Sequence, residues 1–310
     1  MVSRLAPGVN VSRRGSDGLT LASTLTINAC VAFALSTVSR NPTSPASFAS
    51  RAERLGLRAA SLDASLDGDT LEALVPALLA AGLQVVALEA PCPRPPGQRA
   101  PYLATDDREE RLAATRAFEA TLATAGRVGA ARVVVQLGVL AVKHDWSETV
   151  RAFARGTLDD EARERLVAMR RRLGAHALDL ARFALDPLLA RSADAGVTIG
   201  LINRARWFEI PSAGEVAALI GEFRGAPLAP FYDTAAAHIR AGLGLGTGRP
   251  AVEVERACGA FLSDAAGIRG GLPWGTGEID PAVLTKLPPE SPRILRSSLA
   301  TDDEIRAALV

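Results

Sequence analysis

Cysteine is scarce in this chain of 310 residues, which has only three: Cys30, Cys92 and Cys258. They are odd in number and far apart, which argues against a disulfide framework and favours a reducing compartment. The sequence also contains no Cys-x-x-Cys and no His-x-x-x-His pair. It therefore lacks the short motifs that most often indicate a zinc site.

An excess of charge is missing as well. The chain has 35 basic and 34 acidic residues, which gives a net charge of +1. Proteins that bind nucleic acids usually carry a clustered basic excess, so we expect no nucleic-acid partner. Aromatic residues make up only 5% of the chain against 48% hydrophobic residues, so the core is built mainly from small aliphatic side chains.

No hydrophobic run is long enough to span a membrane. The longest candidate, TLTINACVAFALSTV at 24–38, is too short for a span and comes late for a signal peptide. We expect a cytoplasmic protein without a membrane partner. The basic segment 1–20 is predicted to be an N-terminal arm, and 21–310 to be one domain.

Short apolar segments alternate with longer amphipathic ones throughout this domain, which predicts repeated strand–helix units. Eight such units in a chain of this length favour a single closed (β/α)8 barrel, an α/β fold. A doubly wound sheet is the alternative, but AGLGLGTG at 241–248 does not match its G-x-G-x-x-G fingerprint. The predicted strands are 26–35, 58–65, 83–91, 131–140, 197–204, 228–234, 259–264 and 292–298.

Capping residues predict where several helices begin. These are Ser44 followed by Pro45, and the capping boxes Ser212–Glu215 and Thr301–Glu304. The charged segment 143–195 is predicted to form two helices, broken near Gly174 or Pro187.

Polar side chains follow most of the predicted strands. In a barrel the carboxyl ends of the strands and their loops form the site, so these side chains should share one mouth. Such a mouth suits a hydroxylated small molecule, either neutral or anionic. The residues are Glu89, Gln136, Asn203, Arg204, Asp233, His238, Ser263, Asp264, Trp274 and Arg296.

Three segments carry a resemblance to a known family: LINRARWFEIPS at 201–212, FYDTAAAHI at 231–239 and FLSDAAGIRGGLPWGTGEID at 261–280. They resemble the Leu-Glu-Asn, Asp-x-Gly-His and His-x-His-Asp segments of xylose isomerase-like barrels. That superfamily includes sugar phosphate isomerases and epimerases and endonuclease IV. The resemblance runs from Leu83 to the C-terminus and implies a barrel that binds a sugar-like ligand.

Enzymes of this family hold a divalent cation with acidic and histidine side chains, and here most matching positions carry other residues. Only Asp233 keeps its residue type. The matching positions that changed are Gln136, Ile202, Ala235, Ala236, Ser263, Gly270, Gly271 and Arg296. An isoleucine cannot coordinate a cation and an arginine repels one. We therefore expect no metal and no other cofactor. We also expect Arg296 to replace the cation electrostatically by pairing with Asp233 or Asp264.

Two functions remain open at this point. The first is a metal-free isomerase or epimerase, in which Arg296 polarises a carbonyl and Asp233, Glu89 or His238 acts as the base. Glu89 is the strongest candidate for an independent acid–base group. Gln136, Asn203, Arg204, Ser263, Asp264 and Trp274 would contact the ligand.

The second function is a pseudoenzyme that binds a metabolite or a partner without turnover. A metal-dependent isomerase and an abasic-site endonuclease are weaker alternatives. Each residue also has a structural interpretation: Asp233 as a cap, Asp264 as a brace for its loop, and Trp274 as core packing. Substrate identity and oligomeric state stay open.

Overall fold

The computed structural model describes residues 33–39, 44–95, 100–142, 145–245 and 254–309. The predicted arm at 1–20 lies outside these ranges. Eight strands form the barrel: β1 (Phe33–Ser36), β2 (Ala59–Leu62), β3 (Gln84–Glu89), β4 (Arg132–Val135), β6 (Thr198–Ile202), β8 (Leu228–Asp233), β9 (Ala260–Leu262) and β12 (Arg293–Leu295). All neighbours pair in parallel, and the closed order is β1-β12-β9-β8-β6-β4-β3-β2.

Two short antiparallel sheets of two strands accompany the barrel: β5 (Gly138–Val139) with β7 (Glu209–Ile210), and the hairpin of β10 (Asp264–Ala266) with β11 (Arg269–Leu272). The described helices are α1 (Pro45–Arg54), α2 (Gly68–Ala80), α3 (Arg108–Val128), α4 (Trp146–Ala154), α5 (Asp160–Asp194), α6 (Ala213–Glu222), α7 (Thr234–Gly242) and α8 (Asp302–Ala308). A 3-10 helix covers Pro281–Lys286. Within the described ranges, no helix is both long and apolar enough to cross a membrane.

The prediction of a single (β/α)8 barrel is confirmed, and each predicted segment contains one barrel strand. For the first segment this holds from Phe33 onward, because 26–32 lie outside the described residues. The doubly wound alternative is wrong, since β1 pairs with both β2 and β12 and so closes the sheet. The capping residues predicted for α1, α6 and α8 are confirmed.

Two details differ from the predictions. Segment 143–195 does contain two helices, but the break falls at 155–159, and α5 runs unbroken through Gly174 and Pro187. Asp159 caps the second helix, while a side chain at Gly174 would approach Glu215 Oε1 at 3.2 Å. Gly174 therefore serves close packing. The connection from β9 to β12 carries a hairpin and a 3-10 helix where the seventh strand–helix unit predicted an α-helix.

Apolar side chains fill the barrel interior. Phe231 and Phe261 lie with ring centroids 4.8 Å apart, and Ile202 is fully buried in the same cluster. Gly259 makes room for this packing, because a side chain there would come within 2.5 Å of the Phe231 ring. The interior is thus a packed floor, and any ligand site lies above it, at the carboxyl ends of the strands.

Candidate functional site

An open cavity of about 430 Å³ occupies the barrel mouth. Loops after β1, β6, β8, β9 and β12 line it, which places it where barrel enzymes carry their sites. Its volume falls in the usual range for small-molecule pockets. The charged lining residues are Arg204, Arg206, Glu209, Asp233 and Arg296. Small residues complete one wall: Ser263, Gly270, Gly271, Ser297 and Ser298.

Two arginines and two carboxylates form an ion network at this mouth. Glu89, the last residue of β3, lies 2.9 Å from Arg204 (Oε1 to Nη2) and 3.0 Å from Arg296 (Oε2 to Nη2). Arg204 also pairs with Asp233 at 3.5 Å, between Nη1 and Oδ2. Glu89 and Asp233 are both buried. Each of these buried carboxylates therefore has a charged partner, as a charge removed from bulk water requires.

The expected partner of Arg296 was wrong. Its guanidinium contacts Glu89, neither Asp233 nor Asp264, although it does stay in the mouth. The Arg296 Cζ lies 4.8 Å from the centroid of the Phe261 ring, which supports it by a cation–π contact. The role of Glu89 as an independent acid–base group stays a prediction. Both oxygens of Glu89 accept hydrogen bonds from guanidiniums.

Asp264 is a brace for the loop that follows β9. Its Oδ1 accepts hydrogen bonds from the backbone amides of Ala265 (2.8 Å) and Ile279 (3.1 Å), and its Oδ2 from that of Gly275 (3.0 Å). These three main-chain donors explain why Asp264 does not pair with Arg296. The observed contacts of Asp264 are therefore those expected of a residue that braces its loop.

Asp233 combines a structural contact with exposure to the cavity. One carboxylate oxygen caps α7 by accepting the Ala236 amide at 2.9 Å, while the other faces Arg204. Burial alone would lower the pKa of Arg204. The carboxylates of Glu89, Asp233 and Glu209 outweigh that effect and raise its pKa. Arg204 is therefore a permanent cation in this mouth.

The remaining candidates from the sequence lie at different distances from this cavity. Ser263 lines it, but Gln136, Asn203 and Trp274 do not. Asn203 donates to the Pro211 carbonyl at 2.7 Å, and Trp274 packs in the main hydrophobic core. His238 lies on α7 outside the lining, with its Nε2 3.5 Å from Glu278 Oε2. The roles of these residues as ligand or proton contacts stay predictions.

Glu209 and Trp146 are among the lining residues that were missed from the sequence. Glu209 follows an aromatic pair in the segment WFEIPS, and burial raises the pKa of its carboxyl against the charges of Arg204 and Arg206. Trp146 begins α4 and reaches the cavity from the VKHDW loop. Lys143 and His144 of that loop lie outside the described residues.

The mouth does not fit a divalent cation. At the matching positions Ile202 is packed in the floor, and Arg296 brings a guanidinium to the carboxylate of Glu89. Across the described ranges, no group of three or more His, Cys, Asp or Glu side chains is arranged to hold a metal ion. Hard cations need several such ligands at bonding distance.

No protein-family model matches the sequence, and no curated protein matches it significantly. Solved structures do match. A 3-keto-D-glucoside 4-epimerase from E. coli aligns with a TM-score of 0.64 and 14% identity, over 90% of this chain and 98% of its own. An L-ribulose 3-epimerase gives 0.61 and 16%, over 91% and 87%. A D-allulose 3-epimerase from Methylomonas sp., solved with D-allulose, gives 0.57 and 14%, over 90% and 88%.

These neighbours are sugar epimerases, and one of them was solved with its sugar. At 14–16% identity the similarity establishes a shared fold, and function must be argued from the site. The chain has the fold of the xylose isomerase-like sugar epimerases, which confirms the resemblance seen in the sequence at the level of the fold.

Proposed function

We propose that this chain binds a sugar-like, hydroxylated metabolite in the mouth cavity and acts on it without a divalent metal. The observation that supports this most is the position of Arg296 and Arg204 at the cavity wall, beside the buried carboxylate of Asp233. Guanidiniums donate hydrogen bonds and a fixed positive charge, which are the features that stabilise a developing oxyanion. A location in the cytoplasm and the absence of a nucleic-acid partner remain predictions.

The proposed reaction is an isomerisation or epimerisation next to a carbonyl group. Asp233 removes the proton from the carbon beside the carbonyl, and the C–H electron pair moves to form an enediolate. Arg296 stabilises the charge on that oxygen. In an isomerisation Asp233 returns the proton to the neighbouring carbon, and the hydroxyl proton passes to the other enediolate oxygen. In an epimerisation water protonates the opposite face and Asp233 gives its proton to the resulting hydroxide, so atoms and charge balance. Glu89 positions the two guanidiniums.

Proton transfer can be measured directly. We expect purified protein incubated with D-allulose, L-ribulose or related ketoses in D₂O to exchange a carbon-bound hydrogen of its substrate for deuterium, detected by NMR. The exchange should survive EDTA and stop in Asp233→Asn. Asp303→Asn, on the exposed surface of α8, is the matched control. Exchange that needs added Mn²⁺ would contradict the metal-free mechanism.

A pseudoenzyme is the second candidate. It is favoured by the engagement of Glu89 and Asp233, each of which already has a charged or main-chain partner. In that case a sugar raises the melting temperature, as any ligand of the native state does, but no deuterium is incorporated. The two measurements on one sample therefore separate a binder from a catalyst.

A further inference from the structure

The charges that face the mouth cavity are unequal. Arg204, Arg206 and Arg296 line it, against Asp233 and Glu209. Glu89, which neutralises part of this charge, contacts two of these guanidiniums but is not among the lining residues. A ligand in the cavity thus meets more cationic than anionic groups, in a partly desolvated site where charges act strongly.

Arg296 has donors to spare. A guanidinium carries five N–H groups. Within the described part of the chain, Arg296 donates hydrogen bonds only to Glu89, through Nη2. Its Nε is buried and has no acceptor among those residues. The Phe261 ring fixes the orientation of the plane. Arg296 is therefore an oriented cation whose hydrogen-bonding capacity is only partly used.

We propose that the ligand is a polyhydroxylated carboxylate, a sugar acid, whose carboxylate group is bound by Arg296 and Arg204. The planar guanidinium fork matches a carboxylate, and the contacts with Glu89 already show this pairing within the protein. The inference rests on the proposed function, because the hydroxylated part of the ligand occupies the same cavity. The inference specifies that the ligand is anionic and that its carboxylate is the group the mouth recognises.

Other lining residues suit the hydroxyl groups of such a ligand. Asp233 and Glu209 can accept hydrogen bonds from hydroxyls. Gly270 and Gly271 leave main chain at the wall, and Ser298 adds a hydroxyl that can donate or accept. The burial that raises the pKa of Glu209 makes its carboxyl easier to protonate, which limits its repulsion of an anion.

Matched pairs of probes test the proposal on the full chain. Titration calorimetry at neutral pH compares D-gluconate with D-glucitol, and D-galacturonate with D-galactose, which differ mainly in the carboxylate. We expect the acid of at least one pair to bind about tenfold more tightly, the usual size of a charge-assisted contact. Added salt should weaken the binding of the acid and leave the affinity for the neutral sugar unchanged.

Variants then assign the preference to one residue. Arg296→Gln should abolish the preference for the acid, while Arg306→Gln, in an exposed pair on α8, should keep it. The comparison of probes on the unaltered protein needs no variant, so it decides the question even where Arg296→Gln does not fold.

The outcomes are distinct. Equal affinity for acid and neutral sugar overturns the carboxylate proposal and leaves the proposed function standing. Tighter binding of D-glucose 6-phosphate than of either acid shows that the anion is a phosphate and overturns it too. Failure of every probe overturns both the inference and the proposed function.

Discussion

Asp264 and Glu89 are two buried carboxylates at the same end of one barrel, and they are held in different ways. Asp264, 1% exposed, accepts hydrogen bonds from three backbone amides of its own loop. Glu89, 7% exposed, is held by the side chains of Arg204 and Arg296, which come from two other strand ends. Burial and charge are alike, but the donors differ.

This difference separates a brace from a responsive site. A main-chain amide cannot leave Asp264 unless the loop itself opens, so the donors to that carboxylate are fixed. A guanidinium can turn or share its N–H groups with a second anion, so the network around Glu89 can change when a ligand arrives. The identity of the donors is therefore more informative than the position of a carboxylate at a strand end.

The largest expected effect comes from the brace. Asp264→Ala leaves three backbone amides without an acceptor, and we expect the free energy of unfolding to fall by about 3 kcal/mol or more. Asp264→Asn keeps one carbonyl oxygen and should lose less. Urea denaturation followed by circular dichroism measures both, with the exposed Asp303→Ala as the control. A loss for Asp264→Ala as small as that of the control would contradict its role as a brace.

A smaller loss is expected at the mouth. Glu89→Gln is nearly isosteric, and the two guanidiniums that it releases are 22% exposed, so water can hydrate them. We expect a decrease of about 1 to 2 kcal/mol in unfolding free energy. The freed N–H groups should at the same time tighten the binding of D-gluconate and leave D-glucitol unchanged, as measured by calorimetry. Destabilisation equal to that of Asp264→Ala would remove the distinction between the two carboxylates.

The smallest effect concerns the thiol near Glu89. Burial raises the pKa of Cys92 to about 12 from 9.0, with a further contribution from Asp63. The folded thiol therefore keeps its proton where the unfolded thiol loses it. Its contribution to stability is complete below about pH 9 and declines as the pH rises towards about 12.

Cys92→Ala measures that contribution. Between pH 8 and 10 we expect the unaltered protein to lose about 1 kcal/mol more stability than the variant. Denaturation curves at the two pH values give the difference. Equal losses of stability would mean that the pKa of Cys92 is not raised in the folded protein, and therefore that water reaches this thiol.

The barrel could be predicted because its signals are local. Alternating apolar segments gave the strands, and Ser44, Ser212 and Thr301 marked helix starts through contacts within three or four residues. The unbroken α5 was missed, because Gly174 is used for packing against Glu215, a contact that lies outside its own helix. Propensity alone predicted a break there.

Local sequence determined the repeating strand–helix pattern and the helix caps. Tertiary structure decided which charges meet. Glu89 and Arg296 are separated by 207 positions, yet closure of the barrel brings their strand ends together. Asp264 is the nearer carboxylate in sequence, but the amides of its own loop take its oxygens first. Pairing among buried charges depends on distance and competition in three dimensions, and neither is encoded in the spacing of residues along the chain.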